Sequence, residues 1–198
     1  SLYFQALDAQ GRAVQSMRSV TYVHPGEQLT CVGCHEPKHG APPPVTDKPL
    51  AFLRAPSPIA PEPEGSNPFS YVRLVQPVLD NNCVSCHGGN DGMLDLRGKL
   101  EENGFTRSYN QLARDFGFYY DVFNGSFKDN GSRSYPGKVG ALASKLLKRL
   151  DTSICGEELS KEDCRRIIVW LDSNSEFLGA YENVLAQQRG EVVYPALD

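Results

Sequence analysis

Two short stretches of the chain carry the same five-residue pattern. LTCVGCHEPKHG, from Leu29 to Gly40, holds Cys31, Cys34 and His35, and NNCVSCHGG, from Asn81 to Gly89, holds Cys83, Cys86 and His87. Two residues between the cysteines let one short turn present both sulfurs on one side, and the adjacent histidine sets an imidazole beside them. This is the spacing of c-type haem attachment, with the sulfurs bonded to the two vinyl groups and the histidine on the iron. A thioredoxin-like redox pair is one alternative, but it wants a strand before the motif and a helix after it. Here Pro37 and Pro42 to Pro44 follow the first motif, and Gly88 and Gly89 follow the second. Half of a zinc site is the other alternative, since two Cys-x-x-Cys units can combine into one site. Neither alternative calls for the adjacent histidine that both units carry. The reading is therefore two covalently attached haem c groups with their iron.

The next question is what else ligates the two irons. The chain has four histidines, His24, His35, His39 and His87, the number that two bis-histidine haems need. His35 and His87 take the proximal positions by motif. His39 follows His35 by four residues, too few to put both on opposite faces of one ring. If His35 binds the first iron, His39 points to the second haem, to another metal or to a neighbouring molecule; otherwise it is a solvated loop residue. His24 sits seven residues before Cys31 and has enough chain to fold over either ring, or it is a surface histidine in the turn before Pro25. Met17 and Met93 are the remaining axial candidates; methionine ligation raises the potential, and an open position admits substrate. Met93 follows His87 too closely to reach the far face easily, and Met17 reads as core. Tyr22, Tyr119 and Tyr120 are further candidates, read more simply as packing residues beside haem.

Haem attachment of this kind takes place outside the cytoplasm, so the expected location is periplasmic or extracellular. An oxidising compartment suits Cys155 and Cys164 as a disulfide across CGEELSKEDC. A loop this short gives somewhat less than the ~3 kcal/mol of a 15-residue one in the chain-entropy model. Two buried thiols are the alternative.

The elements that must position these groups are modest. The chain has 198 residues, a net charge of -4 and 40% apolar residues, which fits one large domain or two small ones with a cofactor supplying part of the core. No stretch approaches the roughly 20 apolar residues of a membrane span. With neither an initiator Met nor a signal peptide, the chain reads as a processed product or a fragment. Mild acidity and scattered Lys and Arg argue against nucleic acid, with one short basic cluster at Lys145, Lys148 and Arg149.

Alternation around a DAQG turn in LYFQALDAQGRAVQSMRSVTYV predicts a β-hairpin. Residues 41–68 hold most of the fourteen prolines and read as a stiff, extended connector. Ser66 or Asn67 as cap and Pro68 in the first turn predict a helix over FSYVRLVQPVLDNN that delivers the second motif, kinked or broken at Pro77. A short helix is expected near Tyr109 to Phe116 and another from Lys138 to Leu150. A last one is expected after Ser160, whose SKED is a capping pattern. The fold class is thus mainly α with much irregular structure, a cytochrome c-like haem domain, plus a short N-terminal β-hairpin. Residues 1–66 would hold the hairpin, the first motif and the connector, and residues 67–198 the helical domain with the second haem.

These pieces resemble a known family. VQSMRSVTYVHPGEQLTCVGCHEPKHGAPP, then QPVLDNNCVSCHGG and LDLRG, then SKLLKRL and ELSKEDCRRIIVWLDSNSEFLGAYE are similar to the dihaem region of hydrazine synthase alpha-subunit-like proteins. The MRSVTYVHPGE lead-in and the WLDSNSEFLGAY ending are more specific than the cysteine motif. In hydrazine synthase a tyrosine four residues after the first motif histidine ligates the iron, and that histidine is diverted to zinc; His39 stands at the tyrosine position here. Family members also place a Gly-His before the LSxED helix as a candidate ligand of the second haem; this chain has DTSICGEELSKED instead.

Electron transfer is the function these features favour: a dihaem c-type cytochrome working with redox partner proteins. A variant shares haem ligands between subunits and so builds an extracellular filament, because a heterologous contact propagates unless it closes. Catalysis on nitrogen compounds or peroxide at an open haem is the second class, with Asp115 and Asp121 as acid–base candidates. A haem domain cut from a larger hydrazine synthase-like enzyme is the third.

Overall fold

The computed structural model describes residues 2–17, 20–27, 53–89, 92–117, 135–150 and 159–196. The chain divides into two units, one of Ser1–Phe4 with Met17–Ala60 and one of Gln5–Ser16 with Pro61–Asp198. The hairpin strands belong to the second unit because they pack with its helices.

In the first unit Leu2 and Thr21 form an isolated antiparallel bridge, and the Met17 amide donates to the Phe4 carbonyl at 2.9 Å. His24 to Glu27 make a turn: the Glu27 amide donates to the His24 carbonyl at 3.0 Å, and Gly26 takes a φ of 79°.

The second unit begins with β1 (Gln5–Leu7) and β2 (Ala13–Ser16), paired antiparallel with Gln5 opposite Ser16. The expected DAQG turn joins them. Asp8 closes it with its carboxylate, which accepts from the amides of Gln10 and Arg12, both at 2.9 Å. Five helices and two single helical turns follow among the described residues: α1 (Tyr71–Leu74), α2 (Gln76–Asn82), α3 (Arg107–Asp115), α4 (Gly140–Ala143), α5 (Lys145–Leu150), α6 (Lys161–Asp172) and α7 (Val184–Gln188).

Three of the starts follow capping rules. The hydroxyls of Ser70, Thr106 and Ser160 accept the N–H of Arg73, Tyr109 and Asp163, one donor that each helix cannot satisfy internally. Pro77 divides α1 from α2 at Val75, as expected of a residue tolerated only in a first turn. The expected start at Pro68 moves to Tyr71, because Asn67 is used in a turn with the Glu64 carbonyl and the Pro68 carbonyl accepts from Arg73. The expected helix from Lys138 to Leu150 is two. Ser144 is extended (φ -63°, ψ 137°), donates its hydroxyl to the Phe116 carbonyl at 2.8 Å and caps α5 through the amides of Leu146 and Leu147.

An aromatic cluster forms the centre of this unit. Trp170 of α6 and Tyr71 of α1 are fully buried, their rings edge-on at 5.2 Å. Tyr109 of α3 lies 5.0 Å from Tyr71 and 4.8 Å from Phe177. Each polar tip has a partner, as buried Tyr and Trp require. Trp170 Nε1 donates to the Glu176 carbonyl at 3.1 Å, and the Tyr109 hydroxyl to the Ser175 carbonyl at 2.9 Å. Around them pack Leu74, Val75, Val78 and Leu79 of the α1–α2 segment with Ile167 and Leu171 of α6.

Asp172 ties the hairpin to this core. Its carboxylate accepts from the amides of Ala13 at 2.9 Å and Ala141 at 2.7 Å. Gly140 allows the approach: it sits at a φ of +49°, where a side chain is strained, and a Cβ there would overlap the Asp172 carboxylate. Burial pushes the Asp172 carboxyl above the usual range. The end of the proline-rich run is fixed by ion pairs, Glu62 with Arg165 and Glu64 with Arg166 at 3.0 Å. No described helix is long and apolar enough to cross a membrane.

Candidate functional site

The second motif is an extension of α2. Cys83 is the C-cap residue, with its amide on the Leu79 carbonyl at 2.8 Å. The chain then makes one more helical turn in which the Cys83 carbonyl accepts from the amides of Cys86 at 3.2 Å and His87 at 2.8 Å. That turn sets both cysteines and the histidine on one local frame. Cys83 is partly buried and packs on the core, and Cys86 is exposed. Gly88 and Gly89 end the turn; Gly89 has a φ of 91°, so the chain leaves sharply without a side chain over the motif.

His87 is half-buried, and its Nδ1 is buried without a hydrogen-bond partner among the described residues. Buried polar atoms are nearly always satisfied, so this nitrogen is open to a water, an ion or a bound group. Cys83, Cys86 and His87 thus share one turn, the local arrangement that the motif calls for. Among the described residues no three His, Cys, Asp or Glu side chains gather into a metal-holding group.

The other expected ligands divide as follows. His24 is exposed in the turn of the first unit, its amide donating to the Glu27 carboxylate at 2.8 Å. Met17 is half-buried in that unit, and Met93 is exposed. Asp115, the last residue of α3, is exposed, as is Tyr22. Cys31, Cys34, His35, His39, Tyr119, Tyr120, Asp121 and Cys155 lie outside the described residues, and with Cys155 the expected disulfide to Cys164.

Beside the motif is a charged cluster that the sequence does not announce. Asp95 is buried, with a side chain 5% exposed, and its carboxylate takes four bonds, one of them from the Arg97 amide at 3.2 Å. Arg97 donates to it through Nε at 2.8 Å and Nη2 at 2.6 Å, and Arg107 through Nη1 at 3.1 Å. Arg107 Nε also reaches Glu101 at 2.8 Å, and Asn110 reaches the same carboxylate at 2.6 Å. The one sign of it is LDLRG, where an acid and a base two residues apart follow the motif. A single-residue spacer says nothing about burial, however, and Arg107 is distant in sequence.

Hydrogen bonds from Arg97, joined by those from Arg107, hold the Asp95 carboxyl well below the usual carboxylate range. A depressed folded-state value means that this group stabilises the fold above its unfolded value, near pH 4, and loses that contribution as pH falls further. Urea midpoints at neutral pH and at about pH 3 are expected to differ more for the parent than for Asp95→Asn, which has no proton to take up.

Among known proteins, residues 1–36 match the family model described as the hydrazine synthase alpha subunit middle domain. The match includes Cys31, Cys34 and His35 and ends before the second motif. The match is to that family's middle domain and not to its dihaem region, and it does not reach the later stretches read as similar. No curated protein and no solved structure matches the chain.

Proposed function

We propose that this is a dihaem c-type cytochrome, with a cytochrome c-like helical domain, that passes electrons outside the cytoplasm to redox partner proteins. The observation that carries the reading is the second motif, one helical turn holding two cysteines and a histidine with an orphaned ring nitrogen. Cys83 and Cys86 would hold one haem c by thioether bonds and His87 would ligate its iron. Cys31, Cys34 and His35 would serve the other by the same spacing, with His24 and His39 as further ligands. The iron supplies one-electron oxidation and reduction. The protein supplies the rest. The α2 turn fixes the attachment point, the glycines leave the motif uncovered, and Val78 and Leu79 anchor α2 in the core beside α1.

Ligand sharing between subunits is a form of the same reading, motivated by His39 and by the missing Gly-His before α6. A second reading, a haem domain of a hydrazine synthase-like enzyme acting on nitrogen compounds, is favoured by the match over residues 1–36.

Intact mass and a carbon monoxide difference spectrum of the reduced protein separate these. The expected result is a mass carrying two haems and no carbon monoxide binding, dilute or concentrated. Binding only when dilute favours ligands donated by a neighbour. Binding at both concentrations means an open iron and favours the enzyme. A mass without haem ends the cytochrome reading.

A further inference from the structure

We infer that Asp95 and Arg107 are positioning residues for His87: they anchor, from α3, the backbone that carries the iron-ligating imidazole. The inference rests on the haem reading above and adds to it what keeps the ligand in place.

His87 ends a single turn beyond α2, and the chain after it is Gly88 and Gly89, which contribute little stiffness of their own. On that side the histidine is held by the segment Asp95 to Arg97. The Leu96 amide donates to the His87 carbonyl at 2.8 Å, and Gly88 forms an antiparallel bridge with Asp95. That segment is in turn pinned from two helices. Gln76 of α2 donates to the Leu96 carbonyl at 3.1 Å. From α3, Gln111 accepts the Asp95 amide at 2.8 Å, and the Ser108 amide donates to the Arg97 carbonyl at 3.2 Å. Arg107, the first residue of α3, completes the attachment by its bond to the buried Asp95 carboxylate.

An ion pair between a buried carboxylate and half-exposed arginines is a weak way to gain stability, since desolvation of the carboxylate offsets much of the attraction. It is a strong way to fix geometry, because charge-assisted bonds to a carboxylate are short and directional. A histidine on a metal depends on such outer contacts to hold its ring in place. The cluster also explains Gly89. A Cβ there would meet Arg97 Nη2 at 2.6 Å and Asp95 Oδ2 at 3.1 Å, so a side chain would have to displace the Arg97 guanidinium from its place on Asp95.

The test uses the full chain with Cys31→Ser and Cys34→Ser, so that spectra report the second motif alone. Intact mass comes first: if this parent carries no haem, the haem reading fails and the inference falls with it. With haem attached, Asp95→Asn and Arg107→Gln are each expected to keep the haem mass and to raise the high-spin ferric fraction, read by electron paramagnetic resonance, about threefold or more. Arg107→Lys, which can still reach Asp95, is expected to restore most of the parent signal. If Asp95→Asn does not accumulate as folded protein, Arg107→Gln decides, because it leaves Asp95 paired with Arg97. A lowered urea midpoint with an unchanged high-spin fraction would show the cluster to be structural only and overturn the inference while leaving the haem reading intact.

Discussion

Trp170→Ala is expected to lower the unfolding free energy of the helical unit by about 3–5 kcal/mol, read as a fall in urea midpoint. Trp170 is fully buried where α6 meets α1, α3 and the chain around Phe177. Truncation removes its transfer free energy and opens a cavity among Tyr71, Tyr109 and Phe177, rings that pack edge-on or tilted and cannot slide together without losing their own contacts. It also orphans the Glu176 carbonyl, which now accepts from Nε1 at 3.1 Å. Against a typical margin of about 5–15 kcal/mol, such a loss takes between about a fifth and all of it. Trp170→Phe keeps most of the volume and loses the hydrogen bond, so a cost of about 1–3 kcal/mol is expected. If the alanine variant falls no further than the phenylalanine one, Trp170 is not the centre of the core.

What can be read from the sequence depends on range. The hairpin turn, the SKED cap of α6, the break at Pro77 and the helix leading into the second motif all follow from interactions within a few residues, and the structure has each of them. The start of α1 lies later than expected because Asn67 and Pro68 look like a cap and first turn in isolation. Their groups are taken by Glu64 and Arg73, and Ser70 caps instead. The break at Ser144 is invisible for a similar reason: it depends on the Phe116 carbonyl, 28 residues away. In the candidate site the three motif residues are legible because Cys83, Cys86 and His87 fall within five residues of one turn. Asp95 and Arg107 are not, because their role is set by burial and by a contact twelve residues long. Asp172, the last residue of α6, escapes notice for the same cause: it accepts two amides from distant segments.

Replacing Cys83 and Cys86 together with alanine is expected to leave a folded chain carrying one haem, with haem absorbance per protein about half that of the parent. The cost to the fold should be small. Cys86 is exposed and Cys83 lies at the edge of the core, where an alanine methyl fills most of the space. The turn itself is held by backbone bonds to the Leu79 and Cys83 carbonyls, which alanine also makes. Cys86→Ala alone should retain the haem through one thioether, whereas His87→Ala should retain both thioethers and lose the iron ligand, giving the full mass with an altered spectrum. Together the three variants separate attachment from ligation, which the motif assigns to different atoms. If the double variant keeps the mass of two haems, the second motif is not an attachment site, and His87 loses its assignment with it. A parent that already carries a single haem, unchanged in the double variant, would confine the cofactor to Cys31 and Cys34. The α2 turn would then be a packing element whose thiols call for another explanation.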